Sequence, residues 1–138
     1  MCLNAALSEN FFIAEKNNLE DQLVDNNTSL QLAHKQESAK IENIRFMGDN
    51  EEELVRIEME GLDTRSEEYE QLLSEINDIR DEEDREIEQI ERQSTDFETE
   101  IQQENVVIET RLEAINTDLD ALGDLKEEHI KEQFGYFQ

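Results

Sequence analysis

The sequence predicts an all-α fold, a long helical hairpin or coiled coil, on three observations. No proline occurs in 138 residues, and long uninterrupted helices must exclude it from their interiors, whereas a loop-rich domain would hold several. Apolar residues recur at alternating steps of three and four over most of the chain, as they do on a helix with one buried stripe. Only 36% of the residues are apolar and none is Trp, too little for a thick globular core.

The first element is a helix over residues 3–47. Its seam runs through Phe12, Leu19, Leu23, Asn26, Leu30, Ala33, Ile44 and Met47, interrupted by Lys16, Glu37 and Lys40. Asn26 is expected to fix pairing register, since a single buried amide selects the alignment in which it finds a partner. Four basic and seven acidic groups give residues 1–47 a net charge of −3, so domain 1–47 reads as a near-neutral amphipathic helix.

A break is expected at 48–50, the second segment. Gly48 suits the left-handed residue that ends a helix, and Asp49 or Asn50 suits the cap of the next, with Glu52 or Glu53 as capping-box partner. The long helix then covers 51–122, with a joint at 61–64 where Gly61 precedes Asp63 and Thr64, and Thr64 with Glu67 forms another capping box. Its seam comprises Tyr69, Leu73, Ile76, Ile87, Ile90, Phe97, Ile101 and Ile108, interrupted by Arg80, Glu83, Ser94 and Glu104. From Ile108 the seam steps by four to Leu112, a stutter, then passes through Ile115, Leu119 and Leu122. A short C-terminal extension ends in Phe134, Tyr136 and Phe137, read either as a frayed terminus or as a docking tail for a neighbouring chain. Segment 51–138 is thus a strongly acidic coiled-coil helix with an aromatic tail, and residues 48–138 carry −23 of the total −26. Uninterrupted helices of these lengths would extend roughly 110 Å and about 65 Å. They would not match end to end in a simple hairpin.

The run DIRDEEDREIEQIERQ, residues 78–93, has nine charged side chains in its first eleven positions yet keeps Ile87 and Ile90 in phase with the seam. It reads as the solvated face of a helix. Asp81 with Arg85 and Glu88 with Arg92 are acid-before-base pairs four residues apart, each contributing about 0.2–0.5 kcal/mol. Residues 116–127 place Asn116, Asp118, Asp120, Asp124 and Glu127 at the liganding positions of a calcium loop. However, Ala121 stands where the turn needs glycine and Gly123 where a β-branched residue belongs. No metal is therefore expected beyond weak, non-specific divalent cations on the acidic surface. His34 and His129 lack the Glu-x-x-His spacing of a di-metal bundle and read as surface residues. Cys2 has no partner for a disulfide, and no glycine-rich phosphate loop is present, so no cofactor and no enzymatic activity are expected.

The stretch LNAALSENFFIAEKNNLEDQLVDNNTSLQLAHKQ, residues 3–36, resembles the amino-terminal helix of flagellins and related filament subunits in Leu3-Asn4-Ala5, Lys16, Leu19 and Leu23. The arginine-rich continuation of flagellins is missing. The resemblance implies a helix that pairs within a filament core and export without a cleaved signal peptide.

A net charge of −26 repels nucleic-acid backbones and anionic membranes, so neither is an expected partner. Neither a run of eighteen apolar residues nor a basic-then-apolar leader is visible. Membrane insertion is therefore not expected, and the expected location is cytoplasmic or exported without a cleaved signal. The expected function is structural: self-assembly through the seams into a homo-oligomeric bundle or filament. The alternative is a binding module such as an acidic helical export chaperone, adaptor or capsid-scaffolding protein.

Overall fold

A computed structural model describes the backbone of residues 2–135 and the side chains of 4–135. It contains two helices, α1 (Cys2–Met59) and α2 (Glu67–Gly135), packed against each other as an antiparallel hairpin, with no strand among the described residues. The all-α hairpin is as the sequence predicts.

The placement of the turn is not. The break expected at 48–50 does not occur: α1 runs through Gly48, and the chain reverses over residues 60–66, at the site expected to be only a joint. Gly61 alone among the described glycines takes a positive φ, +83°, the left-handed conformation that an L side chain resists. Asp63 and Ser66 then build the start of α2. The Asp63 carboxylate accepts from the Arg65 backbone N–H at 3.0 Å, and the Ser66 hydroxyl accepts from the Tyr69 N–H at 3.2 Å. Ser66, rather than Thr64, is the helix cap. A glycine inside a helix costs only about 1 kcal/mol relative to alanine, which neighbouring seam contacts outweigh. With the turn at 60–66 the helices have 58 and 69 residues, far closer in length than the expected pair.

The charge boundary moves with the turn. α1 holds twelve acidic and five basic groups, a net of −7, because Asp49, Glu51, Glu52, Glu53 and Glu58 join it. α2 holds twenty-four acidic and six basic groups, a net of −18.

The hairpin divides into two compact units, one of Met1–Ser29 with Glu100–Gln138 and one of Leu30–Thr99. In the first, Ile101, Ile108 and Ile115 are buried, Ile115 completely, against half-buried Phe12, Leu19 and Leu23 on the α1 side. Burying one such isoleucine contributes about 1.5–3 kcal/mol. In the second, Val55, Ile76 and Ile87 are buried, with Leu30, Ala33, Ile41, Ile44, Met59, Tyr69, Ile79, Ile90 and Phe97 half-buried. Threonines inside the helices turn their hydroxyls onto the carbonyl four residues back, as Thr95 does to Glu91 and Thr110 to Val106, at 2.9 and 2.8 Å.

Candidate functional site: the inter-helix seam

The seam brings residues from both helices together and is therefore the chain's candidate site. In the turn-bearing unit it follows steps of four, three and four: Glu37, Ile41, Ile44, Gly48, then Glu52, Val55, Met59 on α1, and Leu72, Ile76, Ile79, Glu83, Ile87, Ile90, Ser94 on α2. That is an eleven-residue repeat, 3.67 residues per turn, where heptads were expected. The longer repeat shifts the contact line by one residue per few turns, and four expected positions change accordingly. Ile41 replaces Lys40, buried Gly48 replaces Met47 (54% exposed), Leu72 replaces Leu73 (45% exposed) and Ile79 replaces Arg80. In the other unit α2 runs Ile101, Asn105, Ile108, Leu112, Ile115, Leu119, Leu122, Lys126 and His129. The stutter, two successive steps of four, thus ends at Ile101–Asn105 rather than at Ile108–Leu112, and Asn105 takes the place expected for Glu104.

Polar groups meet across the seam at intervals. Within the first unit, Asn26 donates to the Asn105 side-chain oxygen at 2.9 Å and more weakly to Glu104 at 3.4 Å, giving the expected register amide its partner. Arg111 grips Glu15 with Nε and Nη2 at 2.8 and 3.0 Å. This fork holds the Glu15 carboxyl below its ordinary value, its hydrogen bonds outweighing burial, and raises that of Arg111. Lys126 donates to Glu9. Within the second unit, the Ser94 hydroxyl donates to Glu37 at 2.5 Å, and Glu37 also lies 3.6 Å from His34 Nδ1. Arg56 and Arg80 converge on one oxygen of Glu52 at 2.7 and 2.5 Å and hold that carboxyl low, Arg56 contributing most.

Gly48 faces Glu83. A Cβ placed on Gly48 would overlap the Glu83 carboxylate, which would have to swing aside, so the carboxylate in this position depends on the bare glycine. Burial, reinforced by Asp49 and Asp84, pushes the Glu83 carboxyl above its ordinary value.

In the sequence alone, Gly48 reads as a break and Glu83 as an interruption. Their eleven-residue spacing from Glu37 and Ser94 is the signal that would have put them opposite each other.

Elsewhere the sequence-level site residues divide. Phe12, Leu19, Leu23, Asn26, Leu30, Tyr69, Ile76, Ile87, Ile90, Phe97, Ile101, Ile108, Leu112, Ile115, Leu119 and Leu122 all lie on the seam; Leu73 does not. Phe134 is 71% exposed, while Tyr136 and Phe137 of the docking tail lie outside the described residues. Residues 116–127 are continuous helix, which removes the turn a calcium loop requires. No group of three or more metal-ligating side chains exists among the described residues. Arg92 pairs with Glu88 at 2.6 Å as expected, but Arg85 bonds the Asp81 backbone carbonyl at 3.2 Å instead of its carboxylate. His129 is half-buried on the seam rather than on the surface. None of the described helices is long and apolar enough to cross a membrane.

No family model, curated protein or solved structure matches this chain, so the flagellin resemblance of residues 3–36 gains no support from known relatives.

Proposed function

We propose that the protein is a non-catalytic structural subunit that self-associates, its hairpins joining side by side into a homo-oligomeric bundle or filament. One observation carries this reading: the outer side of α1 keeps large apolar residues in line. Within the turn-bearing unit Phe46 (65% exposed) and Ile57 (53%) lie one eleven-residue repeat apart, and Leu32 (55%) and Leu54 (63%) lie two apart. Two helices pressed together bury one strip each and leave any second strip to a further helix. The lower charge of α1, −7 against −18 for α2, makes its outer side the least repulsive place for two copies to meet.

Light scattering coupled to size exclusion, with thermal unfolding over a hundredfold concentration range, tests the proposal. Oligomers whose melting temperature rises with concentration are expected, and Phe46→Glu is expected to shift them toward monomer without loss of helicity. A monomer at every concentration refutes it. The high charge of α2 favours a second reading, a binding module for a basic partner. A monomer that takes up a basic helical protein would support that reading.

A further inference from the structure

The Gly48–Glu83 contact lies within the turn-bearing unit and plays no part in the association argument. Here an acid side chain sits over the bare backbone of a glycine, in a groove of about 130 Å³ lined by Ile44, Met47 and Ile79 together with further acids. Every other acid that enters the seam opposite a polar partner has that partner within hydrogen-bond distance: Arg111 for Glu15, Ser94 for Glu37, Arg56 and Arg80 for Glu52. Glu83 faces mostly like charge. From α1 it meets Asp49, Glu51 and Glu52, with Arg45 as the one cation acting on it; from α2 it is flanked by Glu82, Asp84 and Glu86. The two basic groups nearest in sequence are engaged elsewhere, Arg85 by the Asp81 backbone carbonyl and Arg80 by Glu52.

We propose that the Gly48–Glu83 layer is an acid-tightened joint: uptake of one proton by Glu83 strengthens the pairing of α1 and α2 next to the turn. A charged carboxylate at this position carries the cost of partial desolvation and repels Asp49 and Asp84. A neutral carboxyl carries neither cost and fits the same space over Gly48.

The sign follows from linkage. The folded chain holds the Glu83 proton more tightly than the unfolded chain, so stability rises as pH falls through the folded value and is reduced above it. Glu15 and Glu52 act in the opposite sense, but their contribution is lost only as pH drops below the ordinary carboxylate value of 4.5. The interval between neutral pH and 4.5 therefore isolates the joint from these two pairs.

Urea unfolding of the full chain at one protein concentration, followed by helical circular dichroism at about pH 7.5 and about pH 5, reads it out. The urea midpoint of the parent is expected to rise on acidification. Glu83→Gln, a permanent mimic of the protonated form, is expected to have a higher midpoint at neutral pH and a smaller rise. Glu75→Gln removes the same charge from an exposed position of α2 and controls for general relief of repulsion; it should keep the parental rise. Gly48→Ala puts a methyl group where the carboxylate sits and should also diminish the rise by expelling Glu83 toward water. A rise in Glu83→Gln as large as in the parent overturns the proposal. So does one that Glu75→Gln diminishes equally, or one that Gly48→Ala leaves unchanged.

Discussion

Glu15 and Glu83 show how one residue type acquires opposite properties from its neighbours. Both are half-buried glutamates facing the opposite helix. Glu15 meets a guanidinium fork and is held charged; Glu83 meets a glycine and other acids and is pushed toward its neutral form. Neighbouring Asp84 contributes to the difference, but the fork on Glu15 and the bare Gly48 and Asp49 beside Glu83 lie on the other helix. The Glu15–Arg111 pair gives a direct test. Carbon-detected NMR titration should place the Glu15 carboxyl below the ordinary value of 4.5, and Arg111→Gln should raise it. The stability this pair contributes is present above 4.5 and is lost as pH falls through the lowered value. An unshifted Glu15 in the parent would mean that the fork does not persist in solution.

At the scale of the helices, glycine position decides where the chain reverses, and composition alone misassigns it. Gly48 and Gly61 both precede acidic residues and potential caps. What separates them is the seam: Gly48 continues it in phase between Ile44 and Val55, whereas after Gly61 the seam lapses until Tyr69. Helix contacts on both sides of Gly48 outweigh its weak propensity, while Gly61 has no such contacts to keep it helical. Alanine substitution should expose the difference by sign. Gly61→Ala forces an L side chain into a left-handed backbone and should destabilise the hairpin by about 1–2 kcal/mol in urea unfolding. Gly123→Ala, in α2 with open space where the Cβ would stand, should stabilise by about 1 kcal/mol. Equal effects of the two would refute the turn assignment.

At the scale of the whole molecule, the proposed association has to work against charge. Bringing together copies that each carry −26 concentrates like charge, so assembly should strengthen smoothly as monovalent salt rises. Magnesium and calcium should act at lower concentrations and almost interchangeably, because residues 116–127 form helix and no liganding cluster exists among the described residues. Sedimentation across a salt series measures this. Assembly that weakens with salt would instead show that ion pairs between copies hold the interface.

The all-α character, the two long helices and most of the seam could be read in the residues alone; the orientation of the helices could not. Absence of proline and regular apolar spacing are local properties of the backbone and its faces, and they do not depend on what the helix packs against. Ile76, Ile87, Ile101, Ile108 and Ile115 are identified this way, and all are buried. The turn at 60–66, the shift from Met47 to Gly48 and from Leu73 to Leu72, and the pairing of Asn26 with Asn105 could not be. Each depends on the period at which two particular helices stay in contact. A seven- and an eleven-residue repeat differ by under 0.2 residues per turn, too little to show in one helix of mixed composition. Over several turns of a packed pair, that difference moves the contact line onto a neighbouring residue. Only the facing helix makes the choice, because only there does a side chain one position out of phase lose its partner.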